Sequence, residues 1–450
     1  MPLRARSSGP LNLFILVVIL FNYQFFNWLL IKSAVFVSYQ SGNMISSPLY
    51  MAVKIALSLA TGFLFLLYHK RALRYLGLGM PAFALMVWAV ASTIWAPDRF
   101  ATIQATLSYA ATFALALGAA TFTSLESAKK IHLAAVALVL VGSYALIFLV
   151  PVVGVHQITD PVAQVHAGDW RGTFDHRSSF GEFMALAFGL FLCFRRTCGK
   201  RRAAIGMVAT FIGVIMSKSG GSLASLILIV VGYFAYGAYS RRRLNGRLLI
   251  AMGVCLFLLV MAATFGTLFP ELLSLFGKDP TLTGRTLIWI PLIYLISKSP
   301  FIGYGFESGY GHYAAPLVSE YTHTLYKAHN GYILAMIYCG AVGTALLMSV
   351  FVHVGYIVLS SKEKPGTAAY EVMSFAFVFS IYALWVSVIE GFIMSKSSYL
   401  AAATWLTYFL VLRADDDRRR DRAWGLLLAR NLKWPGGIAR QFARVTAQAR

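Results

Sequence analysis

Three residues far apart in this chain, a histidine and two arginines, have types and settings that could do chemistry. His329 stands in "YKAHNGYILAMIYCGAVG", at the lip of a long apolar run and directly before Asn330. An imidazole changes charge near neutral pH, so a histidine placed there is suited to take the proton of a weak nucleophile such as a hydroxyl. Arg285 stands in "LTGRTLIWIPLIYLI", where Thr283 is the expected cap of a short helix, Gly284 follows it, and Arg285 enters the first turn. Backbone N–H groups at a helix start, joined by a guanidinium, form a site for an anion and most naturally for phosphate. An arginine snorkelling to lipid headgroups explains the same residue. Arg171, in "DWRGTFDHRSSFGE", is a second cation, with His176 and Arg177 close by in sequence.

Other chemistries find less support. His156, His166, His176, His312, His323 and His329 fall in two polar loops, but no pair has the short helical spacing of a zinc site and no HExxH occurs. No metal and no cofactor is therefore expected. "GYGFESGYGHY" lacks the strand–helix setting of a dinucleotide fingerprint. Its tyrosines suit stacking on sugar rings and suit an interfacial aromatic belt equally well. Cys193, Cys198, Cys255 and Cys339 lie in or beside apolar runs and read as small core residues.

The elements that position these residues are membrane helices. Of 450 residues 58% are hydrophobic and 12% charged, with a mean hydropathy of +0.69, which excludes an ordinary soluble domain. Apolar runs near 20 residues cross a hydrocarbon core of about 30 Å. The expected fold is an all-α polytopic membrane protein of about twelve transmembrane helices: 11–31, 51–68, 78–96, 103–123, 131–153, 179–195, 203–217, 222–239, 248–269, 330–360, 368–393 and 396–412. The spans 203–217 and 222–239 are short and suit a tight hairpin turning at "SKSGG". The N-terminal run follows Arg4 and Arg6 without a convincing cleavage site, so it reads as a retained helix.

Charge orients the bundle. The net charge is +22, and alternate connections plus the tail hold 28 of the 39 Lys and Arg. The positive-inside rule places both termini in the cytoplasm and the long loops, 154–178 and 270–329, outside. Ten of the 17 carboxylates, Glu390 among them, fall outside or at the outer end of a span. Residues 1–412 form the membrane domain, and 413–450 a basic amphipathic tail suited to an anionic inner leaflet. No recognition motif accompanies the charge, so nucleic acid is not an expected partner. "TLIWIPLIYLI" is too short to span and reads as an interfacial or re-entrant helix within the large outer loop. Arg171, Arg285 and His329 then share one membrane–water interface.

With those elements in order, the chain resembles the O-antigen ligase / Wzy-type polysaccharide polymerase superfamily, and within it the exopolysaccharide polymerases. The matching segments are "TIWAPDRFATI", "WRGTFDHRSSFGE", "SKSGGSLASLIL", "LTGRTLIW", "PFIGYGFESGY" and "AHNGYILAMIYCGAVG", within about residues 93 to 345. The resemblance implies an inner-membrane glycosyltransferase that moves glycan from undecaprenyl pyrophosphate to an acceptor sugar at the periplasmic face, without a metal. It implies His329 as catalytic base, and Arg171 and Arg285 on the pyrophosphate, supported by Asn330, His176, Thr283 and Gly284. A chain-length regulator and export machinery are the further partners it implies. Two departures stand out. Ser178 replaces the amide of the family's His-Lys-Asn, and Ala345 and Leu346 stand where the ligases carry a Thr-Trp pair. The second favours a polymerase over a ligase acting on a lipid A core. A transporter of lipid-linked glycans is the rival class; it would place ionisable groups at mid-bilayer in repeated halves, and no such repeat is visible.

Overall fold

The computed structural model describes residues 9–23, 25, 53, 56–57, 60–61, 63, 69–160, 164–242, 285–321, 328–361, 363–390, 393–395 and 398–431. Everything regular among them is helical apart from one antiparallel bridge between Val155 and Trp170. The principal helices are α1 (Gly9–Asn22), α2 (His69–Leu78), α3 (Met80–Ala91), α4 (Arg99–Phe122), α5 (Leu125–Leu149) and α6 (Arg177–Cys193). They continue as α7 (Lys200–Met216), α8 (Gly220–Arg241), α9 (Arg285–Lys298), α10 (Gly331–Ser360), α11 (Ala368–Ile389) and α12 (Tyr399–Asn431).

The protein is an all-α polytopic membrane protein. Among the described residues α4, α5, α8, α10 and α11 are long and apolar enough to cross a bilayer, and α2 with α3 adds a sixth if that pair, bent by 94°, is one span. α3, α4, α5, α8, α10 and α11 stand where spans were expected, whereas α2 falls on the basic connection expected between 68 and 78. The expected spans 51–68 and 248–269 lie largely or wholly outside the described residues, so the figure of twelve has no direct counterpart. α7 and α8 form the hairpin expected at "SKSGG". α12 runs unbroken through position 412 to Asn431.

Local chemistry sets the helix starts. Asp98, Ser124, Ser219, Asn330 and Thr367 each accept a backbone N–H of the following first turn with a side-chain oxygen. Helix packing uses close approach of small residues, as expected where lipid removes the hydrophobic drive between helices. A Cβ on Gly181 of α6 would lie 2.4 Å from Ser217 Oγ and 2.5 Å from Ser222 Oγ. Buried aromatic rings fill the centre, with Tyr23, Phe174, Phe183 and Tyr399 in mutual ring contact.

α10 is broken at Gly340, whose φ of 62° and ψ of −167° leave the helix. Backbone groups freed inside a membrane must be satisfied by protein. The segment Pro300–Gly305 does this: Ala341 N donates to Pro300 O (2.8 Å), Tyr304 N to Ile337 O (2.7 Å) and Gly305 N to Tyr338 O (3.0 Å). Trp88 Nε1 donates to Cys339 O at 2.9 Å. "PFIGYG" is thus the plug of a helix break, and its glycines allow the backbones to touch: a Cβ on Gly303 would lie 2.6 Å from Gly340 N.

The bundle has two chemically different ends. At one, Lys129 meets Glu371 (2.7 Å) and Thr197 (2.7 Å), Arg74 meets Asp416, and Arg418 lies 3.9 Å from Glu363. The helix termini carrying Arg195, Arg196, Lys200, Arg201, Arg202, Arg241 and Arg242 belong to this end. At the other end meet the C-termini of α5, α7 and α11 and the N-termini of α6, α8 and α10. His329 and its neighbours are there.

Candidate functional site

The end of the bundle that holds His329 is built from two bodies of polar groups. The first is the connection from α5 to α6. Trp170 N donates to Met216 O at 3.2 Å, and Arg171 N and Gly172 N both donate to Gly154 O at 2.9 Å, folding the connection over the α7–α8 turn. Gly172 has φ +53° and sits where a Cβ would be 2.6 Å from Ser143 Cβ, so the bend needs glycine. The Arg171 guanidinium donates to Val153 O (2.9 Å) and Val152 O (3.3 Å) and pairs with Asp160 Oδ2 at 3.0 Å. It holds this connection together.

Three imidazoles form a triangle beside it. The His156, His166 and His176 rings lie 5.3 to 6.1 Å apart, centre to centre. His156 Nδ1 lies 3.0 Å from Asp160 Oδ2, while its Nε2 accepts Arg177 N–H at 3.2 Å. His176 Nδ1 accepts Ser178 N–H at 3.2 Å. These two rings therefore take up N–H groups at the start of α6, a task only a neutral imidazole nitrogen can perform. Burial pushes all three away from the charged form, with His166 brought down to about 4 and His176 to about 3. Among the described residues no group of three metal-ligating side chains is arranged to hold an ion.

Two further cations complete this body. Arg177 Nη1 donates to Lys218 O at 2.7 Å and lies 3.2 Å from Asp169 Oδ2. Lys218 Nζ lies 2.9 Å from Asp169 Oδ1; its side chain is 62% exposed, and its backbone sits at φ +49°. A lysine held in left-handed backbone at a helix turn and offered to solvent is a candidate anion ligand.

The second body surrounds His329. Asn330 caps α10 by accepting Tyr332 N at 3.0 Å and Ile333 N at 3.1 Å. His329 itself lies at φ +48°, strained for a residue with a Cβ. Its Nδ1 is 3.0 Å from Oε2 of Glu390, the residue that ends α11. With Nδ1–H donating to that carboxylate, Nε2 is the nitrogen left to accept a proton. The imidazole is 22% exposed and the carboxylate 7%.

Glu390 joins the two bodies. Besides pairing with His329, its charge acts on His176 across the mouth. His176 and His329, separated in sequence by four of the helices named above, thus both feel the charge of one carboxylate. Arg285 is the first described residue of α9. Ile288, Leu292 and Leu295 form the buried stripe of α9. The helix is tied to the His329 segment by Trp289 Nε1, which donates to Ala328 O at 2.9 Å. Thr283 and Gly284 lie outside the described residues.

Glu390 and Lys218 are the residues that sequence reasoning passed over. Glu390 stood in a group of ten outer carboxylates with nothing to single it out, and Lys218 stood within a recognised segment as one basic residue among many.

Comparison with known proteins follows the same lines. Residues 205–348 match the family model described as O-antigen ligase. The match takes in about a third of the chain and agrees with the resemblance to the O-antigen ligase / Wzy-type polymerase family. The chain is also similar to the exopolysaccharide production protein ExoQ of Rhizobium meliloti (strain 1021), 23% identical over 287 residues. That alignment takes in 60% of this chain and 63% of the relative, just under two thirds of its length. The family segment contains Lys218, Arg285, His329 and Asn330, whereas Arg171, His176 and Glu390 reach the same end of the bundle from outside it.

Proposed function

We propose that this protein is an inner-membrane glycosyltransferase that moves glycan from an undecaprenyl-pyrophosphate donor to an acceptor sugar at the periplasmic face, polymerising exopolysaccharide repeat units. The observation that carries the reading is the His329–Glu390 pair, set at the end of the bundle opposite the basic one. The positive-inside rule turns the basic end, and with it both termini, to the cytoplasm.

The chemistry follows from these groups. The acceptor hydroxyl gives its proton to His329 Nε2 as its oxygen forms a bond to the anomeric carbon of the donor sugar. The bond from that carbon to the pyrophosphate oxygen breaks, and its electron pair leaves with the pyrophosphate. Direct displacement inverts the anomeric centre, and no second carboxylate is needed as in glycoside hydrolysis. Glu390 holds the imidazole in the tautomer that accepts at Nε2 and stabilises the imidazolium as it forms. Negative charge grows on the departing oxygen. Arg285 at the start of α9, Arg171 and Lys218 are the cations assigned to it, each such group being worth on the order of 100- to 1000-fold in rate. His176, Asn330, Thr283 and Gly284 support this arrangement. The prenyl chain holds the pyrophosphate at headgroup depth, which is why the cations wait at the mouth of the helices and not within them.

Two features favour polymerisation over transfer to a lipid A core. Ala345 and Leu346 replace the Thr-Trp pair of the ligases, and the ExoQ relative is named for exopolysaccharide production. The test is reconstitution of the purified chain with a lipid-linked repeat unit. A ladder of chain lengths is expected. One-step transfer onto a lipid A core would make it a ligase, and translocation without new glycosidic bonds would make it a transporter. His329→Ala and Arg285→Ala proteins that still polymerised at the wild-type rate would remove the base and the clamp in turn.

A further inference from the structure

α9 and α10 carry the two halves of the proposed chemistry, Arg285 and His329, yet neither helix reaches the other through those residues in sequence: 44 positions separate them. The distance between a leaving-group cation and a base must nevertheless be fixed to within fractions of an ångström. α9 is tied to α10 at both ends. At its C-terminal end Tyr304 Oη donates to Leu295 O at 2.7 Å, in the same segment that plugs the break at Gly340. At its N-terminal end the tie is Trp289, one turn after Arg285, whose indole Nε1 donates to Ala328 O at 2.9 Å.

The acceptor of that bond is the carbonyl immediately before His329. Ala328 is wholly buried, and the peptide it forms leads into the one residue of this segment held at positive φ. A strained conformation persists only where its surroundings over-determine it. Here Asn330 fixes the chain after the histidine by capping α10, Glu390 fixes the ring, and Trp289 fixes the peptide before it. Pro291, two residues on within α9, bars its own position from donating a backbone N–H.

We propose that Trp289 is a positioning residue: its indole N–H sets the register between the helix opened by Arg285 and the base His329. The inference rests on the assignment of His329 as base. Loss of the N–H frees the 328–329 peptide to turn and lets α9 slide relative to α10. A displacement near 1 Å at reacting groups costs on the order of 100-fold in rate.

Two substitutions separate the N–H from the bulk of the ring. Trp289→Phe keeps an aromatic ring and loses the donor. Trp289→His reproduces the five-membered ring of indole, with Nε2–H where Nε1–H stood, and loses the fused benzene ring. Full-length protein is reconstituted in proteoliposomes with lipid-linked oligosaccharide extracted from cells lacking this protein. For Trp289→Phe the maximal transfer rate is expected to fall by about tenfold or more, with the half-saturating donor concentration within about twofold of wild type. Trp289→His is expected to be faster than Trp289→Phe. A Phe variant with the wild-type maximal rate, one altered only in half-saturation, or a His variant no faster than the Phe variant would each overturn the proposal. His329→Ala in the same assay keeps the two ideas apart. Its full activity would overturn the base assignment, whereas its inactivity beside a wild-type Trp289→Phe would overturn only the role of the tryptophan.

Discussion

Replacing Glu390 by Gln removes one negative charge and leaves the side chain the same size. The carboxylate oxygen lies 3.0 Å from His329 Nδ1, and only 7% of the Glu390 side chain is exposed. Two unit charges about 4 Å apart near a protein surface interact by about 4 kcal/mol at an effective dielectric of about 20. If half a unit of positive charge has formed on the ring at the transition state, the substitution costs about 2 kcal/mol, or roughly 30-fold in rate; full proton transfer raises that to about 1000-fold. The amide adds a second penalty, because its NH2 can turn toward Nδ1 and select the tautomer whose Nε2 already bears the proton. The assay is the initial rate of glycan transfer by equal amounts of reconstituted wild-type and Glu390→Gln protein, with thermal midpoints measured on the same preparations. A variant within about threefold of wild type would show that the carboxylate does not assist a base at His329, and the pairing would then be only a structural contact.

Other outcomes follow from the same coordinates. The His156, His166 and His176 rings are wholly or partly buried and bind protons less readily than in the unfolded chain, so acid favours unfolding: their stabilisation is complete above about pH 6.5 and is lost as pH falls toward about 4. His176→Asn, which can still accept an N–H at the start of α6, is expected to lessen the fall in thermal midpoint between pH 7 and pH 4.5; an unchanged fall would refute the role of this ring. Gly340→Ala places a Cβ 2.2 Å from Phe301 O at a φ of +62°, and a large loss of thermal midpoint or of accumulated protein is expected; a midpoint within about 1 °C of wild type would contradict the tight crossing. Lys129 and Glu371 are buried with their charges paired at 2.7 Å. Removing either one alone is expected to cost about 3–5 kcal/mol, and replacing both with apolar residues of similar size much less, by differential denaturation of the three proteins in detergent.

The architecture was legible wherever it depends on neighbours along the chain. Apolar length announced α4, α5, α8, α10 and α11, the "SKSGG" turn announced the α7–α8 hairpin, and the basic connections marked one end of the bundle. The cap at Asn330 is likewise a local matter of a side chain and the first helical turn. Less was legible at the site. "GYGFESGYGHY" suggested sugar stacking or an aromatic belt, whereas its first glycines serve a backbone crossing at Gly340 that no local pattern encodes. Arg171 was singled out as a cation, but its engagement with Asp160 and with the carbonyls of Val152 and Val153 depends on how the connection folds back.

By itself, then, the chain order of apolar and basic residues determined that this is a helical membrane protein, which end gathers the cations, and that a helix starts just after His329 and Asn330. Those properties arise from transfer into lipid and from hydrogen bonds within a turn, both of which act over a few residues. Only the tertiary structure decided that Glu390, 61 positions after His329, ends its helix against that imidazole. The physical reason is that a carboxylate's partner is chosen by helix packing, through close contacts such as that of Gly331 with Ser387 and the Glu390 backbone.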